Sequence, residues 1–144
     1  MVPITMTFDC ADARAQAAFW AVALGYEEAP PPTGWDTWES WLRDHEVPED
    51  EWDDGASIRD PDGVGPSIGF LRVPEPKTAK NRLHLDLQVA GGRHVAQAER
   101  EGAIRAKVEQ LLPLGATVLH EAFGPRGLDH VVLADPEGNE LCVV

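Results

Sequence analysis

The sequence predicts an α+β fold built from two βαβββ modules, and three observations carry the prediction. Two stretches, Met1 to Cys10 and Arg82 to Val89, alternate apolar and polar residues with period two. A helically spaced stretch follows each and stops at Leu-Gly, at Leu24-Gly25 and again at Leu114-Gly115. Each half then holds an Asp-Pro-acid-Gly turn, Asp60 to Gly63 and Asp135 to Gly138, before a last strand. A period of roughly 75 residues is too long for a solenoid repeat and suits a duplicated module.

The elements follow in order. In the first strand Ile4, Met6 and Phe8 take one face and Thr5, Thr7 and Asp9 the other. Asp12 is the expected N-cap of a helix whose apolar stripe is Ala13, Ala17, Trp20 and Leu24. Pro30, Pro31 and Pro32 interrupt regular structure. Between Trp35 and Asp54 lie nine acids, one arginine and four of the five tryptophans. The spacing of Trp35, Trp38, Trp41 and Leu42 predicts a short amphipathic helix there. Strands are expected at Ala56 to Asp60 and Ser67 to Val73, and Pro74 to Arg82 reads as a connector with a basic run. In the second half Leu83, Leu85, Leu87 and Val89 face one way and His84, Asp86 and Gln88 the other. A helix is expected from about His94 to Leu112 with Ile104, Val108, Leu111 and Leu112 on its stripe. Strands at Ala116 to Glu121, Leu128 to Ala134 and Glu140 to Val144 complete the pattern. We read one domain over residues 1–144, with module one at about 1–75, a Trp-rich insertion at 33–54, and module two at about 82–144.

Composition narrows the function. The chain has 144 residues, 43% of them apolar and 26% charged, as in a globular domain that needs no metal or disulfide merely to fold. Twelve basic against 25 acidic residues give −13, which disfavours nucleic acid and anionic membrane as partners. The N-terminal stretch holds Asp9 and Asp12 and has no basic-then-apolar order. With only Cys10 and Cys142 for thiols, the expectation is a cytoplasmic protein with free cysteines. No P-loop, GxGxxG or Ser-His-Asp order occurs.

The chain resembles the vicinal-oxygen-chelate superfamily (glyoxalase I, bleomycin-resistance proteins, extradiol dioxygenases), and within it the glyoxalase-like proteins. The residues carrying this are Thr7 to Asp9, Phe19-Trp20, Leu24-Gly25-Tyr26, the run KTAKNRLHLD from Lys77 to Asp86, and the ending DPEGNELCVV. The resemblance implies two modules whose strands form a cup-shaped, partly open eight-stranded sheet with metal and substrate inside. Thr5, Thr7 and Asp9, and likewise His84, Asp86 and Gln88, would then face the cup. Glu140 and Cys142 share a face of the last strand.

Metal-dependent relatives place a His or Glu near the start and the end of each module. Residue by residue, only His84 matches. The first position falls on Thr5 or Thr7. The stretch SIGFLRV offers no His, Asp or Glu. The last position falls on Cys142, with Glu140 two residues earlier. An atypical metal set of His84 and Glu140, joined by Asp86 or Cys142, stays open, so a divalent metal is an option the residues do not favour.

The resemblance implies a lyase, isomerase or dioxygenase acting on a vicinally oxygenated compound, with His84 and Glu140 as catalytic candidates. The alternative is a non-catalytic binding or sequestering protein of the bleomycin-resistance type. Thr7, Asp9, Asp86, Gln88, Trp38 and Cys142 are the candidate contacts to a small-molecule ligand. Glu140 could instead pair with Arg82, and Lys77, Lys80 and Arg82 could attract a ligand carboxylate. The tryptophans either staple the inserted helix, form a dimer face, or cover an apolar substrate, and their apolar stripe leads us to expect a homodimer.

Overall fold

The computed structural model describes residues 2–144. The chain divides into two compact units, Met1–Pro76 and Lys77–Val144. Each is an α+β module with one four-stranded mixed sheet.

In the first unit β1 (Met6–Cys10) leads into α1 (Ala13–Leu24), then β2 (Glu27–Glu28), α2 (Trp38–Asp44), β3 (Gly55–Arg59) and β4 (Ile68–Arg72). The sheet order is β1-β4-β3-β2, with β1 and β4 parallel and the other pairs antiparallel. The expected strand from Met1 begins only at Met6, and Met1 itself lies outside the described residues. Asp12 caps α1 by accepting from the Ala15 N–H at 2.9 Å. Gly25 ends it at φ 73°, a left-handed value that a side chain resists. The apolar face of β1 meets this helix as the alternation requires. Phe8 lies 5.0 Å from Trp20 and 5.5 Å from Phe70, ring centre to ring centre. Trp20, Ile58 and Ile68 are fully buried beside them.

The second unit repeats the plan with β5 (Leu85–Leu87), α3 (Gln97–Leu111), β6 (Thr117–Gly124), β7 (Gly127–Ala134) and β8 (Glu140–Val143). Its order is β5-β8-β7-β6, again with the first and last strands parallel. Ile104, Leu111, Leu128, Leu133, Leu141 and Val143 form its core.

The two Asp-Pro turns explain their repetition. Asp60 accepts from the N–H groups of Asp62, Val64 and Gly65. Asp135 accepts from those of Glu137 and Asn139, and from the Asn139 side chain at 2.9 Å. Each carboxylate satisfies loop donors that no strand could reach. The bonds from Gly65, Asp62 and Val64 hold the Asp60 carboxyl below its ordinary range.

Three expectations are corrected. The strand from Arg82 to Val89 narrows to Leu85–Leu87, although beyond it Val144 still donates to the Leu87 carbonyl and accepts from the Val89 N–H. Before it, the Asn81 side chain takes the Glu140 N–H at 3.2 Å and donates to the Leu83 carbonyl, so Leu83 leaves the core and is 75% exposed. The helix expected from His94 begins at Gln97, whose side-chain amide donates to the Leu128 carbonyl at 2.7 Å. Leu112 falls off the buried stripe because the helix tightens into a 3-10 turn at Leu112–Leu114, around Pro113.

The two leucines separate these environments. Leu141→Ala should cost about 2–5 kcal/mol in urea unfolding, whereas Leu83→Ala should stay within about 0.5 kcal/mol of the parent. Equal costs would put Leu83 back in the core.

Candidate functional site

The helices of each unit cover one face of its sheet. In the second unit Leu87, Val131, Leu141 and Val143 are buried on the face toward α3. The helix-free face carries Asp86 on β5 and, directly opposite in register, Cys142 on β8. His84, just before β5, joins them. One ligand-type atom from each of His84, Asp86 and Cys142 lies within 4.8 Å of the others.

The contacts define the hydrogen bonding of the trio. Nδ1 of His84 lies 3.0 Å from Oδ1 of Asp86 and 3.8 Å from Sγ of Cys142. A carboxylate only accepts, so the Nδ1–H of His84 donates to it. The Cys142 thiol is pushed up to about 11, first by burial, then by the negative charge of Asp86 and its hydrogen bond with that carboxylate. The cluster therefore sets a neutral thiol beside the His84 ring and the Asp86 carboxyl group, with His84 and Asp86 about half exposed.

Glu140 begins β8 on the same face and stands outside this trio. Its partner is Lys80 rather than Arg82. The Lys80 hydrogen bond is the main cause that holds the Glu140 carboxyl below its ordinary value, with the charges of Lys80, Lys77 and His84 adding to it. Gln88 is exposed just beyond β5.

The first unit lacks this chemistry. Met6 pairs with Ile68 as Leu85 pairs with Leu141, so the counterparts of His84, Asp86, Glu140 and Cys142 are Thr5, Thr7, Ser67 and Gly69. None is a strong metal ligand. Thr7 and Asp9 are exposed on the helix-free face. Trp38 does not join them. It belongs with Phe70 and Ala56, register partners on the same sheet face as Ile58 and Ile68, which carries α1. Among the described residues the first unit therefore offers no donor set that fits a metal. Among the described residues only the His84 trio offers converging donors, and its thiol resists the deprotonation that ligation requires.

Sequence reasoning missed Lys80 as the Glu140 partner. It also missed Arg14, Glu28 and Trp52, which meet the tryptophans of α2 around a cavity. Nothing local announces such a meeting of α1, β2 and the segment before β3.

Residues 5–144 match the family model of the glyoxalase-like domain, and the chain belongs to that family. Among solved structures it is similar to a glyoxalase/bleomycin resistance protein/dioxygenase family enzyme from Burkholderia phytofirmans. The two are 16% identical over 96% of this chain and 94% of that one, with TM-score 0.58. It is also similar to the fosfomycin resistance protein FosX from Mesorhizobium loti, at 10% identity over 99% and 91%, with TM-score 0.60. A third is a mutant of FosX from Listeria monocytogenes, complexed with manganese(II) and 1S,2S-dihydroxypropylphosphonic acid. It is 13% identical over 99% and 90%, with TM-score 0.59. At these identities the likeness shows the fold. No sequence among the curated proteins matches this chain. Among the described residues no helix is long and apolar enough to cross a membrane.

The thiol gives a pH test in a Cys10→Ala background. Iodoacetamide should label Cys142 slowly at pH 8, with a rate that climbs toward pH 11, and Asp86→Asn should move the climb to lower pH. The sign for stability follows. A raised thiol contributes stability fully below its ordinary value of 9.0 and loses it as pH rises toward 11. A labelling rate already flat at pH 9 would show an ordinary thiol.

Proposed function

We propose that this protein binds a small oxygenated organic molecule on the helix-free face of its second sheet and holds it without turnover. The observation that supports this is the one-sidedness of the donor set. His84, Asp86 and Cys142 converge, while the matching positions Thr5, Thr7, Ser67 and Gly69 supply no base and no strong ligand. Such a trio suits hydrogen bonding to hydroxyl or carbonyl groups, with the Asp86 carboxylate orienting the His84 ring. The Lys80–Glu140 pair borders it, and Lys80, with a side chain 69% exposed, offers an ammonium to an acidic group on the ligand. A general base at Glu140 is disfavoured, because its bond to Lys80 holds it ionised and weakly basic.

A second reading is the metal-assisted one, a lyase, isomerase or dioxygenase on a vicinally oxygenated compound. The closeness of three donor types favours it, as does the manganese(II) complex of a structural neighbour. His84, Asp86 and Cys142 would then be the ligands, rather than the pair His84 and Glu140.

A thermal-shift screen of hydroxy acids, diols and phosphonates separates the two readings. A hit should bind saturably and weaken about tenfold or more in His84→Ala. It should be recovered unchanged, by NMR, with or without added manganese(II) or zinc(II). The methylglyoxal–glutathione adduct should also be untouched. Metal-dependent product formation that disappears in His84→Ala would overturn binding without turnover and establish the second reading.

A further inference from the structure

The first unit contains a cavity of about 220 Å³ on the helix-bearing side of its sheet, away from the face that carries Thr7 and Asp9. Its walls include Trp38, Trp41, Trp52 and Phe70, and the exposed residues Glu28 and Glu51 also line it. We propose that this cavity binds a small organic cation, an alkylated ammonium with apolar substituents.

The rings set the shape. Trp38 and Trp41 stand edge to face, 5.7 Å apart and at 80°, so they form two walls near a right angle. Their indole N–H groups do not all point to a ligand. Trp38 donates to the Ala29 carbonyl at 2.8 Å and Trp52 to the Val47 carbonyl at 3.0 Å, which fixes both rings. His45 stacks on Trp41 with ring centres 4.1 Å apart, so what the indoles leave for an occupant is their remaining π surface, which is electronegative at its face and attracts cations. Trp52 already shows this behaviour, since the Arg43 guanidinium sits 5.1 Å from its ring centre.

Charge selects the occupant. Among the described residues neither Glu28 nor Glu51 has an ion-pair partner, whereas Arg14, the basic residue of the lining, is engaged by Asp53. The segment from Trp35 to Asp54, to which Glu51 belongs, holds nine acids against one arginine. An anion would meet two unpaired carboxylates, and a neutral molecule would shield them from water without compensation. A bare ammonium holds its water too strongly to gain from apolar walls. Alkyl groups on nitrogen remove that hydration and fill the space beside Leu42 and Phe70. At ~30 Å³ per water, the volume corresponds to about seven waters, the size of choline.

Choline is therefore the probe, and 3,3-dimethylbutan-1-ol, its neutral carbon isostere, the control. Both are titrated at constant ionic strength while the indole N–H signals are followed by NMR. Choline should shift the Trp38 and Trp52 signals saturably and leave Trp20 unmoved. The alcohol should bind about tenfold more weakly or worse. Glu28→Gln and Glu51→Gln should each weaken choline severalfold, with an unchanged Trp20 signal showing that the core is intact. Equal binding of the alcohol, shifts that never saturate, or affinity unchanged in both variants would overturn the proposal. None of these outcomes depends on the open face of the second sheet, which a His84→Ala control leaves out of the measurement.

Discussion

Everything in each unit depends on the parallel pairing of its first and last strands. A parallel pair cannot be closed by a tight turn, so the chain must cross the sheet between the two. In the first unit the excursion carries α1, β2, α2 and β3, and in the second α3, β6 and β7. The returning strand then enters the sheet between two neighbours and becomes its best-buried member, as Leu141 and Val143 show. The aspartate turns matter because they aim that strand. Asp135 is 3% exposed and ties Glu137 and Asn139 immediately before β8 begins. A misaimed turn would shift β8 by a residue and exchange Cys142 for Leu141 on the helix-free face.

Much of this was readable in the sequence because it is local. Period-two alternation placed β1 against α1, Asp12 and Gly25 bounded the helix, and the duplicated turn motif exposed the module repeat. Where reading failed, a distant partner had overridden a local pattern. Leu83 fits the alternation perfectly, yet Asn81 occupies the hydrogen-bonding positions that would have drawn it into the strand. Leu112 continues the stripe of α3, but Pro113 and the tighter turn rotate it outward. The short β2 escaped notice because two glutamates carry no apolar signal, and their strand geometry is imposed by β3.

The site was legible to the same degree. Alternation put His84 and Asp86 on one face, and the shared face of β8 put Cys142 with them. The choice of Lys80 over Arg82 by Glu140 depends on how the connector lies against β8, which no spacing encodes. Trp38 misled for a related reason. Its helix was predictable from Trp35, Trp38, Trp41 and Leu42, but the side of the sheet it covers is decided by contacts with Ala29 and Phe70. The modules thus keep one register and diverge in what they display, with polar donors on the second open face and an aromatic insertion on the first helical layer.

The two sheets also end differently. The β2 edge is two residues long, while β6 runs for eight, with Val118, Leu119 and Phe123 exposed along it. A long apolar edge invites another strand. Two register irregularities, at Val118/His120 and Ala122/Phe123, twist it out of a flat ribbon. The remaining defence is the excess of acid over the whole chain. Two copies at −13 repel each other before their edges can meet. That repulsion is a property of the medium as much as of the molecule, because its reach shrinks to about 8 Å at physiological ionic strength. The colloidal stability of this protein is accordingly set by salt, while the stability of its fold, resting on buried cores, is not.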